Sequence, residues 1–128
     1  MREMQHDCRG GGNCYLDQMP RLGVFDDCFP PQCGFGDIDG IIEMNGAFML
    51  LEWKKSGAPL KRSQEIMLSR LTRLDGFEAV VVWGDPKTMR PEKFSVWRNG
   101  MGTPYPGEYA DRLWPHFETW GRKVAPER

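Results

Sequence analysis

Residues 37–54 read DIDGIIEMNGAFMLLEWK, two apolar-alternating runs on either side of Asn45-Gly46. Asn-Gly between such runs is the strongest short-range hairpin signal, because both central residues of a type I′ turn need positive φ. A two-residue loop makes Met44 face Ala47, and every other pairing follows from that one. Asp39 lies opposite Glu52, and Asp37 opposite Lys54. Directly opposed side chains bring their Cβ atoms to about 5 Å. Like charges held that close repel unless a cation sits between them. The open end of the hairpin is therefore expected to hold a divalent metal.

Side chains alternate along strands, so the two faces can be read separately. One carries Ile38, Gly40, Ile42 and Met44 with Ala47, Met49, Leu51 and Trp53, all apolar or glycine. On the other, Ile41, Phe48 and Leu50 crowd toward the turn with Glu43, while most of the charges, Asp37, Asp39, Glu52 and Lys54, gather at the far end. A solvated face would scatter its charges. An exposed salt-bridge cluster at a sheet end is the plainer alternative, worth about 0–1 kcal/mol per pair.

A helix and a strand follow. Leu60, Gln64, Met67, Leu68, Leu71 and Leu74 recur at helical spacing, and Asp75-Gly76 ends the run. Ala79 to Trp83 is a continuous apolar stretch, the pattern of a strand covered on both faces. Strand, helix, strand in that order argues for a parallel, right-handed crossover. A later strand near Phe94–Arg98 is expected at the sheet edge. Tyr109, Leu113, Phe117 and Trp120 predict a C-terminal helix, kinked or divided at Pro115, with His116 solvated off its apolar stripe. Gln64 is the polar residue on the apolar side of the first helix, pointing toward the charged end of the hairpin.

Asp39, then Glu52-Trp53-Lys54, then a crossover helix opening on Gln64, resembles the PD-(D/E)XK nuclease superfamily. Within it the chain looks most like small VRR-NUC-type and Holliday-junction-resolvase-like domains, often carried by phages. The resemblance covers roughly residues 34–84. Gly36-Asp37-Ile38-Asp39-Gly40 stands where a proline would precede the first aspartate; the hairpin pairing favours Asp39 as metal ligand, with Asp37 as the alternative. The fold implied is an α/β restriction-endonuclease-like core of β-hairpin, crossover helix and parallel strand in a mixed sheet. The activity implied is metal-dependent hydrolysis of DNA phosphodiester bonds, as an endonuclease or structure-specific nuclease. Asp39 and Glu52 would hold Mg²⁺ or Mn²⁺, hard cations that take oxygen ligands and keep several waters. Lys54 would orient or deprotonate the attacking water and, with Gln64, complete the catalytic set.

Residues 1–35 hold all four cysteines, Cys8, Cys14, Cys28 and Cys33, in a loop-rich stretch; residues 36–128 form the nuclease-like core and C-terminal helix of what is one domain overall. Two close cysteine pairs suit a structural zinc site. The alternatives are an iron–sulfur cluster, which some relatives of this nuclease core carry, free thiols, or disulfides. His6 is a substitute ligand. Lys55, Lys61 and Arg62 flank the active end and are the expected DNA contacts, binding phosphates without reading sequence. Formal net charge is −1 over 128 residues, so DNA binding, branched substrates included, must come from that local patch. No apolar run approaches the roughly 20 residues that span a membrane, and no signal peptide opens the chain, so the cytoplasm is the expected compartment. A homodimer would suit cutting both strands. The reading of a different class is a non-catalytic nucleic-acid- or protein-binding module stapled by a four-cysteine metal site.

Overall fold

The computed structural model describes residues 19–125 of the chain. Its contacts divide it into two compact units, Met1–Asp37 and Ile38–Arg128. In the described part of the first, Leu22–Cys28 forms a 3₁₀ helix. Beyond it the Phe35 ring meets Phe25 and Phe29 edge-on, with centroids 6.1 and 5.6 Å apart.

The second unit is α/β, built on a five-stranded mixed sheet in the order β1-β2-β3-β4-β5. Its strands are β1 (Gly40–Met44), β2 (Ala47–Lys54), β3 (Phe77–Asp85), β4 (Arg90–Arg98) and β5 (Met101–Tyr105). Helix α1 (Arg62–Thr72) connects β2 to β3, and α2 (Leu113–Val124) closes the chain. Only β2 and β3 run parallel; the other neighbours are antiparallel. Asn45 and Gly46 take φ of 54° and 84°, and the register that follows pairs Met44 with Ala47 and Gly40 with Leu51.

Strand β3 lies at the centre, with Val80, Val81 and Val82 at 0 % exposure. Consecutive residues face opposite sides, so this strand feeds two cores. On one side Leu50, Ala79, Val81 and Leu68 of α1 pack together. On the other, Met49, Val80, Val82, Phe94 and Val96 pack with Leu113 of α2, flanked by Phe117 and Trp120. Burying each valine stabilises the fold by about 1.5–3 kcal/mol.

Three expectations need correction. The strand near Phe94–Arg98 is longer, Arg90–Arg98, and is interior, because β5 pairs outside it. The turn between them is Asn99-Gly100, with φ of 53° and 84°, the same device as at residues 45–46. Pro115 neither kinks nor divides α2: it falls in the first turn, where backbone N–H groups have no intrahelical partner to lose. The break lies before it, where a 3₁₀ segment Gly107–Arg112 gives way to the α-helix at Leu113. Met67 and Leu74 are 47 % and 54 % exposed, not core, while Thr72 is buried. The Thr72 hydroxyl donates to the Leu68 carbonyl and accepts from the Gly100 N–H, which docks the β4–β5 turn on α1.

A β-bulge interrupts the β3–β4 pairing between Trp83 and Gly84. A Cβ on Gly84 would fall on the Arg90 carbonyl oxygen, whereas one on Gly121 in α2 would meet nothing within 4 Å. Gly84→Ala is therefore expected to destabilise by about 3 kcal/mol, the upper end of overpacking costs. Gly121→Ala should stabilise by about 0.5–1 kcal/mol through helix propensity. Urea unfolding midpoints check both signs.

Candidate active site

The ladder between β1 and β2 stops at Gly40 and Leu51, and Asp39 carries on from there with its side chain. Its Oδ2 accepts the Trp53 N–H at 2.7 Å. The N–H and C=O of one strand residue face the same neighbour, so the Trp53 carbonyl faces the edge where the Asp39 carboxylate sits. A carboxylate has about four lone-pair sites, so this hydrogen bond leaves Asp39 able to take further ligands.

Glu52 and Lys54 alternate with Trp53 and project on the α1 side. The Lys54 ammonium is 3.6 Å from Glu52 Oε1, with the two side chains 15 % and 26 % exposed. It also donates to Gln64 Oε1 at 3.0 Å. That same oxygen accepts the Lys61 N–H at 3.2 Å, capping the start of α1. Gln64 thus ties the lysine, the preceding loop and the helix together. Its partner at the charged end of the hairpin is the lysine. The structure brings Asp39, Glu52, Lys54 and Gln64 to one end of the sheet.

Two tryptophans brace that end. The Trp53 indole donates to the Gly84 carbonyl at 3.0 Å on the α2 side. The Trp83 indole donates to the Ala58 carbonyl at 2.6 Å on the α1 side, and Lys93 lies over the Trp83 ring at 4.8 Å from its centroid. A half-buried indole N–H needs an acceptor; two tryptophans at the ends of adjacent strands were the signal for this brace, and it went unread.

The other expected site residues fall as follows. Lys55, Lys61 and Arg62 are exposed beside the site, and Arg62 pairs with Glu65 at 3.3 Å on the helix surface. Asp37 belongs to the N-terminal unit, outside β1. Cys28 and Cys33 are exposed free thiols, while Cys8, Cys14 and His6 lie outside the described residues. Among the described residues no three His, Cys, Asp or Glu side chains group around a common point. None of the described helices is long and apolar enough to cross a membrane.

His116 is not solvated. Its Nε2 lies 2.9 Å from Glu78 Oε2, and Arg98 Nε reaches Glu78 Oε1 at 2.7 Å. Glu78, the second residue of β3, is 7 % exposed and went unread because a charge before an apolar run looks like a strand boundary. Burial pushes its carboxyl up, but the hydrogen bonds from His116 and Arg98 outweigh that and hold its pKa below the usual glutamate value.

Comparison with family models, curated proteins and solved structures gave no significant match.

A carboxylate with a lowered folded pKa stabilises the fold above its unfolded pKa, and the contribution disappears as pH falls through the folded value. Glu78→Gln is accordingly expected to lose about 1–3 kcal/mol at neutral pH. The gap to the wild type should close below about pH 4. Urea titrations at both pH values measure it; a pH-independent gap would mean the amide loses packing and not charge.

Proposed function

We propose that the chain is a metal-dependent phosphodiesterase that cuts DNA, a nuclease of the PD-(D/E)XK kind. The observation that carries this is a lysine ammonium held between Glu52 and Gln64, one residue from the backbone amide that engages Asp39. A surface salt bridge needs no half-buried amide partner and no carboxylate bound to the intervening residue.

The donor set fits a hard divalent cation. Asp39 and Glu52 would hold Mg²⁺ or Mn²⁺, helped by the Trp53 carbonyl, since such ions take one or two carboxylates and keep several waters. When bound, such a cation supplies an activated water and neutralises charge on the phosphate. The remaining work belongs to the chain. An ammonium has three donors, so Lys54 bonded to Gln64 keeps others for the attacking water and for negative charge growing on the phosphate. Gln64 fixes the direction of that ammonium. Lys55, Lys61 and Arg62 would grip the DNA backbone, and cutting both strands of a duplex would bring two copies together.

The second reading, a binding module, draws on the N-terminal unit, where Phe25, Phe29 and Phe35 are 48 %, 42 % and 60 % exposed. Labelled linear, flapped and four-way-junction DNA separate the two. With Mg²⁺ or Mn²⁺ the wild type is expected to cut at least one of them, and EDTA to stop it. Lys54→Ala and Glu52→Ala should lower the rate by about 10²–10³-fold while DNA binding persists. Cutting that survives both substitutions, or none by the folded wild type, contradicts the nuclease.

A further inference from the structure

Trp83 stands beside Lys54 in the register of β3 against β2 and packs on the same α1 side. The chain leaves Lys54 through a turn closed by the Ala58 N–H on the Lys55 carbonyl at 3.0 Å. The carbonyl of Ala58 then takes the Trp83 indole N–H at 2.6 Å. Within the turn Ser56 Oγ donates to Glu92 Oε2 at 2.8 Å, and at the end of the loop the Lys61 N–H donates to Gln64 Oε1. Lys54, the loop and Gln64 form a ring closed by the Lys54–Gln64 hydrogen bond, and the indole N–H holds the middle of that ring to the central strand.

We infer that the Trp83 N–H is a positioning group for Lys54: it fixes the 55–61 loop so that the ammonium keeps its place between Glu52 and Gln64. The inference rests on Lys54 as the catalytic lysine. The competing role is packing, since the Trp83 ring also lies against the α1-side core. Ring and N–H can be told apart. Trp83→Phe keeps an aromatic ring and removes the donor. A chain with 3-benzothienylalanine at position 83, the same bicycle with sulfur in place of N–H, preserves the packing should Trp83→Phe fail to fold.

Two measurements are made on the full chain. The first is the rate of acetic anhydride labelling of Lys54, read by mass spectrometry against the exposed Lys87 and Lys123. It needs no catalysis. The second is kcat and KM for DNA cleavage. Loss of the N–H should speed Lys54 labelling several-fold while the two standards stay constant. It should also lower kcat roughly ten- to a hundredfold with KM nearly unchanged, as a misplaced catalytic group does. Unchanged labelling, or faster labelling with kcat intact, overturns the inference. If the wild type cuts no DNA, the nuclease reading falls, and the labelling ratio alone decides whether Trp83 holds Lys54.

Discussion

Backbone sterics at Asn45 and Gly46 set the register of β1 against β2, and with it the side of the sheet each later residue reaches. Positive φ at both positions allows a two-residue turn. A slip of one residue would send Glu52 and Lys54 to the α2 side and Trp53 to α1. The β2–β3 pairing passes that register on, setting Lys54 beside Trp83 and Glu52 beside Val81. The position of α1, and so of Gln64, depends on the same alternation, because Leu50 and Val81 must meet Leu68.

Charge and apolar packing share this sheet by separation along the strands. Its middle is valine at full burial, and polar groups collect at the two ends of β3. At one end Glu78 is neutralised by Arg98 and His116. The Arg98 guanidinium and the His116 ring both reach that one buried carboxylate, which closes the cluster. At the other, Lys54 lies between the Glu52 carboxylate and the Gln64 amide, and the Asp39 carboxylate binds the N–H of the intervening Trp53. The first end is a closed ion-pair cluster around one acid. At the second a lysine is shared between a carboxylate and an amide next to the backbone N–H that binds Asp39, and that arrangement is the physical ground for reading it as the working end.

The first hairpin, its register from the turn to Gly40 and Leu51, and the approach of Gln64 to Lys54 were legible because each depends on local spacing: a turn dipeptide, an alternation, a helical repeat. The expected pairs Asp39–Glu52 and Asp37–Lys54 lie beyond the end of the ladder. Asn99-Gly100 carried the same turn signal and was missed. Its flanks obscure the alternation: Lys93 and Glu92 are charged, Gly102 supplies no side chain, and Pro104 suggests a loop. Gly102 has its own reason, since a Cβ there would come within 2.7 Å of the Trp97 ring. The pairing of Glu78 with His116 spans 38 residues and exists only once α2 has docked, so no spacing rule reaches it. Pro115 misled for the opposite reason: a local rule was applied without knowing where the helix began. The zinc reading of the cysteines depends on Cys8 and Cys14, outside the described residues.

The central claim is that the edge formed by Asp39, Glu52 and Trp53 takes a divalent cation, and it can be tested without any substrate. Mn²⁺ added to ¹⁵N-labelled protein broadens the amide signals of residues near the bound ion. Broadening should begin at Asp39, Glu52 and Trp53, compete away with Mg²⁺, and disappear in Asp39→Asn. Broadening that starts elsewhere, or that survives Asp39→Asn unchanged, would contradict the site.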